Sequence, residues 1–184
     1  VEKSFLRDKR VTVINNGIDL DVFKPVLIAD KNNIGKKKII IGVASIWEER
    51  KGLNDFISLN EIIDKEKFQI VVVGVSEMQK KKLPSDIVTI VRTDSQLELA
   101  ALYSGAEFFF NPTYQDNFPT TNIEALACGT PVITYDSGGS PEIIDSATGW
   151  VVSTGDVAAV KRIIESNSKS DYSIQCRKRA TDFF

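Results

Sequence analysis

Histidine is absent from the 184-residue chain. That excludes Ser-His-Asp and Cys-His chemistry, and every other mechanism that draws a histidine base from these residues. Cysteine is scarce, at two, and two thiols without histidine make a poor zinc set and fit a reducing compartment. Cys128 sits in the apolar stretch EALACG, where a small buried thiol is expected, and Cys176 in a polar tail. Long apolar runs are missing: none approaches a membrane span, and Val1 does not open a signal peptide. An excess of one charge is missing too, with a net of -2 and only short basic runs, Lys36 to Lys38 and Lys80 to Lys82. A nucleic-acid binder shows a wider basic face, so both runs read as solvated surface and no nucleic-acid partner is expected. No Gly-x-Gly-x-x-Gly follows the first buried strand and no Gly-Lys-Ser/Thr loop occurs, so dinucleotide and ATPase readings lose their main support.

What is present is an ordinary soluble composition, 42% hydrophobic and 26% charged, on a length that suits one domain burying roughly 70% of its unfolded surface. Beginning at Val-Glu and ending at TDFF, the chain reads as an excerpt of a longer protein. RVTVI is expected as a short strand, NNGIDLDVFKP as a turn-rich connector and VLIADKNNIGKKK as a linker. Then apolar runs alternate with helical patterns. KIIIGVA, FQIVVVG, DIVTIV, AEFFFNP, PVITY and GWVV read as strands. GLNDFISLNEIID reads as a helix with Leu53, Phe56, Ile57, Leu59, Ile62 and Ile63 inward. SEMQKKKL, SQLELAALYSG, the stretch from Thr121 to Cys128, GDVAAVKRIIES capped by Asp156, and the tail from Asp171 are the other helices. Strands bare of polar residues between helices predict an α/β domain, a doubly wound parallel sheet with helices on both faces. Residues 1–35 are expected as junction and linker, and residues 36–184 as the ligand-binding domain. Such sheets bind ligands beyond the carboxyl ends of their strands.

Two loops at those ends carry chemistry. In SIWEERKG, Lys51 stands just before Gly52 opens a helix, so an ammonium and a helix N-terminus converge, as a diphosphate requires; a solvated Lys-Gly turn is the plain alternative. Trp47 is either a wall of the site or an aromatic packed at the loop base. In TYQDNFPTTNIEALACG, Thr121 and Glu124 fit a capping box, with Thr121 as N-cap. The same stretch also places Asp116 and Glu124 eight residues apart around a helix N-terminus, where two carboxylates can accept sugar or ribose hydroxyls. In YDSGGSPE, Ser140 is expected to cap a helix with Pro141 at its first position, and Glu142 to face the helix dipole.

Taken together, VINNGIDLDVFKP, the Lys51-Gly52 loop, NPTYQDNFPTTNIEALACGTPVIT, GGSPEII and TGWVVSTGD resemble retaining glycosyltransferases of the GT-B fold. The likeness is to the family-four type typified by bacterial lipopolysaccharide and capsule enzymes, and it covers nearly the whole chain. It implies the C-terminal, Rossmann-like half of a two-domain cytoplasmic enzyme, working at the inner face of the membrane where the acceptor domain touches it. By that resemblance Glu124 would hold ribose hydroxyls, while Asp116 and the amides of Asn117, Phe118, Pro119 and Thr120 would hold the transferred hexose. Lys51 would neutralise the diphosphate, with Ser45 or Arg50 beside it. Arg92 and Thr93 would meet the base. Asp116, Glu124 and Lys51 would thus carry the catalysis. The substrate would be a UDP- or GDP-sugar, with no cofactor and no metal, and VINNGID would join the acceptor domain. Two departures stand out: Asp116 replaces a commoner Glu, and Ser45 or Ile46 stands where an arginine is usual. Remaining alternatives are a GT-B sugar-nucleotide epimerase and a non-catalytic nucleotide-binding or interaction module.

Overall fold

The computed structural model describes residues 3–26 and 37–184. Six parallel strands form one sheet in the order β3-β2-β1-β4-β5-β6. They are β1 (Lys38–Val43), β2 (Phe68–Val73), β3 (Val88–Ile90), β4 (Phe108–Asn111), β5 (Val132–Tyr135) and β6 (Gly149–Val152). Between and after them run α1 (Leu53–Ile62), α2 (Glu77–Lys80), α3 (Gln96–Gly105), α4 (Thr120–Ala127), α5 (Ser140–Ile143), α6 (Val157–Ser166) and α7 (Ser173–Phe183). This is the doubly wound α/β sheet the sequence predicts.

Side chains alternate between the two faces of the pleat and feed two cores. Ile39, Ile41, Val71, Val73 and Phe109 point to the side of α3, α4 and α7, meeting Tyr103, Ile123, Leu126, Cys176 and Ala180. Ile40, Ile70, Val72, Phe108 and Phe110 point to the side of α1 and α6, meeting Phe56, Leu59, Val160 and Ile164. Phe108, Phe109 and Phe110 are all fully buried, each worth about 1.5–3 kcal/mol. Burial on both faces is why these strands carry no alternating polar residues. The strand order reverses between β1 and β4, whose pairing runs from Ile40 with Phe108 to Ile41 with Phe109. Loops leaving the carboxyl ends of such a central pair diverge and leave a crevice.

Several expectations need correcting. RVTVI forms no strand: Val13 is 81% and Ile14 87% exposed, because no strand among the described residues lies beside it to supply ladder partners. Ile62 faces solvent at 41% exposure, since the last turn of α1 rotates it off the sheet and leaves Ile63 to pack. Cys176 lies in a helical tail but on its buried face, its Sγ 3.5 Å from the Thr148 carbonyl. Pro141 is the second residue of α5, and Gly139 rather than Ser140 precedes the helix. The linker and the boundary expected at residue 35 fall largely outside the described residues. Lys80, Lys81 and Lys82 are exposed, as read. Among the described residues no helix is long and apolar enough to cross a membrane.

Candidate functional site

The loop after β1 is pinned at its base. Trp47 is buried, its indole Nε1 donates to the Val73 carbonyl (2.8 Å), and its ring meets Phe56 edge-on at 5.6 Å. Of the two roles open to it, packing at the loop base is the one realised, although its edge still lines the crevice. A short 3-10 turn, Glu49–Lys51, follows and ends at Gly52, which has φ 72° and immediately precedes α1. A side chain there would be strained and would collide with the Pro112 carbonyl. Glycine therefore lets the β1 and β4 loops touch, and they do: the Tyr114 amide donates to the Arg50 carbonyl at 2.7 Å.

That contact brings Lys51 to Asp116. Nζ lies 2.5 Å from Oδ2, with the two side chains 21% and 17% exposed. The other carboxylate oxygen, Oδ1, accepts the Phe118 amide at 3.2 Å. A cation and a carboxylate are thus locked together 65 residues apart in sequence. The loop that carries Asp116 is moulded by the next one. The Gly139 amide donates to the Asp116 carbonyl at 3.2 Å. Gly138 has φ 54°, and a Cβ on either glycine would strike the backbone of Asp116 or Asn117.

Beyond this pair α4 begins. Pro119 precedes it with φ -71° and makes no side-chain cap; the Asn122 amide closes the first turn on the Pro119 carbonyl at 3.1 Å. The amides of Thr120 and Thr121 precede that bond and belong to the donor-rich end of the helix. The expected capping box is not formed. The helix starts one residue early, so Thr121 is its second residue and Glu124 its fifth, too far along to reach back to the N-cap. Glu124 instead accepts the Tyr103 hydroxyl on Oε2 at 3.1 Å. Burial pushes its carboxyl above the usual range, and the Tyr103 hydrogen bond works against that rise.

A cavity of about 200 Å³ lies at the reversal point of the sheet, lined by Ser45, Lys51, Asn111, Asp116, Phe118, Pro119, Thr120 and Thr121. Six of the residues that the resemblance assigns to the ligand are therefore together: Ser45, Lys51, Asp116, Phe118, Pro119 and Thr120. Glu124 lies one turn further along α4 and does not line this cavity. Asn117 is exposed nearby. Arg50 faces elsewhere: it donates to Glu48 (2.7 Å) and to the Gln115 carbonyl (3.0 Å), and lines a separate groove with Glu48, Glu49, Asn54, Asp55 and Tyr114. Arg92 and Thr93 follow β3, two strands from the crevice at the edge of the sheet.

Sequence reasoning missed Asn111, which ends the apolar β4 and donates through Nδ2 to Asn122 Oδ1 (2.7 Å). A lone amide at the carboxyl end of FFFN was the available signal. Tyr103 was missed as well, because its contact with Glu124 exists only in space. The chain does hold one Asp-x-Asp triplet, Asp19-Leu20-Asp21, but Asp19 Oδ1 accepts the amides of Asp21 (2.9 Å) and Val22 (3.2 Å) and so caps a turn.

The family model for glycosyl transferases group 1 matches residues 27–182. Among curated relatives, a D-inositol 3-phosphate glycosyltransferase of Mycobacterium marinum is 26% identical over 93% of this chain and 41% of its own length. The capsular polysaccharide biosynthesis glycosyltransferase CapM of Staphylococcus aureus is 23% identical over 90% of this chain and 48% of its own. The chain thus spans less than half the length of these relatives. The solved structure of Anabaena HepE in complex with UDP-glucose superposes with a TM-score of 0.76 at 18% identity, over 94% of this chain and 53% of that one. The last likeness is one of fold.

Proposed function

This chain belongs to the glycosyl transferases of group 1, and from that premise we propose that it is the donor-binding domain of a retaining GT-B glycosyltransferase. It moves a hexose from a UDP- or GDP-sugar to a saccharide or lipid-linked acceptor, in cell-surface polysaccharide synthesis, in the cytoplasm at the inner face of the membrane. The observation that carries this reading is the Lys51–Asp116 pair, held at the sheet's reversal point beside the start of α4.

In the structure the two charges satisfy each other. A diphosphate offers the ammonium a stronger partner, flanked by the α4 amides. The carboxylate is then free to accept hydroxyls of the sugar next to that diphosphate. Charge developing on the departing diphosphate meets Lys51 and the helix end, so the reaction proceeds without a metal. Glu124 receives the ribose hydroxyls. Donor pockets measure roughly 300–1,000 Å³, so a cavity of about 200 Å³ is one wall of a cleft whose other wall is an acceptor domain.

Calorimetry of UDP and GDP with and without EDTA tests the reading. Binding is expected to survive EDTA, and Lys51→Ala is expected to weaken it about tenfold, the worth of one charge-assisted hydrogen bond. Binding that vanishes with EDTA, or that Lys51→Ala leaves unchanged, overturns it.

A further inference from the structure

Tyr103 is fully buried on α3, with its ring edge-on to Phe109 at 5.4 Å and to Phe23 at 6.4 Å. Its main chain is fixed as firmly. Its carbonyl accepts Thr130 Oγ1 at 2.6 Å, and Thr130 Oγ1 accepts Lys169 Nζ at 2.8 Å. The same ammonium holds the carbonyls of Ser104 (2.6 Å) and Ala106 (3.0 Å), closing the end of α3. Phenylalanine would fill this apolar space equally well. A hydroxyl buried here needs a polar partner, and the partner it has is Glu124 Oε2. The second oxygen, Oε1, has no partner among the described residues and is not sealed from solvent.

We propose that Tyr103 is a positioning residue for Glu124, its hydroxyl occupying Oε2 and fixing the side chain so that Oε1 alone meets the ligand. The proposal rests on the reading of Glu124 as the ribose contact. With two lone pairs, Oε1 accepts both vicinal hydroxyls of a ribose. The phenol has a second effect. A hydrogen bond donated to a carboxylate favours its charged form, which works against the burial of Glu124 and shifts the acceptor toward ionisation. Among the described groups, Tyr103 from α3 and Cys128, the residue that ends α4, are the titratable side chains that face this carboxyl. Cys128 is held neutral by burial, its thiol pushed up to about 12. Burial thus pushes Glu124 toward its neutral form, and the Tyr103 hydroxyl is the side-chain group that opposes it.

Tyr103→Phe deletes one oxygen and keeps the ring. The Glu124 carboxyl is titrated by carbon-13 NMR in the ligand-free chain, parent against variant, and UDP affinity is measured from pH 4.5 to 8. The expected results are a Glu124 midpoint raised by up to about one pH unit, and UDP affinity at neutral pH lowered roughly fivefold. The acid limb of the binding profile should move up with the midpoint. In a Glu124→Gln background, Tyr103→Phe should leave UDP affinity unaltered. Equal midpoints in parent and variant overturn the proposal whether or not UDP binds. So does a variant that binds UDP like the parent while Glu124→Gln does not. If Glu124→Gln itself binds UDP like the parent, the donor-site reading fails instead, and the ligand-facing part of the proposal with it.

Discussion

Asp116 and Glu124 bear the same functional group eight residues apart, yet the protein holds them in opposite ways. Asp116 sits in a loop and is met on both oxygens, by an ammonium and by a main-chain amide. Glu124 sits in a helix and is met on one oxygen by a neutral phenol. A carboxylate paired with a cation is released only by something that competes for the cation. One paired with a phenol keeps its charge uncompensated and has an acceptor to spare. The first suits a group exposed as ligand arrives, and the second a fixed contact.

The largest effect should come from breaking the mould around Asp116. Gly138→Ala forces a Cβ onto a positive-φ backbone and against the Asp116 carbonyl, so stability should fall by about 3 kcal/mol. Thermal and urea unfolding measure that. Carbon-13 titration of Glu124 in the same variant should match the parent, because the phenol contact is untouched; a shifted Glu124 would mean that the two acids form one unit.

Removing the cation should come next. Lys51→Ala strands Asp116, and unfolding stability should drop by about 2 kcal/mol, between the values for exposed and buried pairs. The double variant Lys51→Ala with Asp116→Ala should recover part of that loss.

Glu124→Gln tests the other member with the opposite sign. Burial raises the folded-state pKa of Glu124 above its unfolded value. Stability linked to that group is therefore present at acid pH and lost as pH rises through the folded pKa. The amide carries no such loss and still accepts the Tyr103 hydroxyl. Its melting temperature should exceed the parent's modestly at pH 7, and the gap should close as pH falls toward 4. The smallest effect belongs to Thr121→Ala. As the second residue of α4 with no cap to lose, it should stay within about 0.5 kcal/mol of the parent. A loss above 1 kcal/mol would restore the capping box.

The fold was legible because burial on both faces writes itself into composition: KIIIGV and FQIVVV have no other use for so many branched residues. RVTVI carries the same propensity, but a strand also needs a neighbour, which propensity does not encode. At the site, Lys51 and Asp116 could be named from the ends of their strands, and the structure brings them into contact. The capping box could not be judged locally. Pro119, with φ already suited to a helix entrance, starts α4 one residue early. Glu124 then finds Tyr103, 21 residues back in sequence. Arg50 is a neighbour of Lys51 in sequence, but the Gln115 carbonyl and Glu48 hold its guanidinium in a separate groove, which the sequence does not encode.

Trp47 has a consequence of another kind. Its indole is 5% exposed, hydrogen-bonded to the Val73 carbonyl and packed on Phe56, while the same residue borders the Lys51–Asp116 crevice. An indole so sheltered emits toward the blue. The protein has one other tryptophan, Trp150, which lies on Tyr172 beyond β5. Once Trp150→Phe silences that second emitter, the loop carries its own optical gauge, and rearrangements around Lys51 become visible in unlabelled protein on the timescale of mixing.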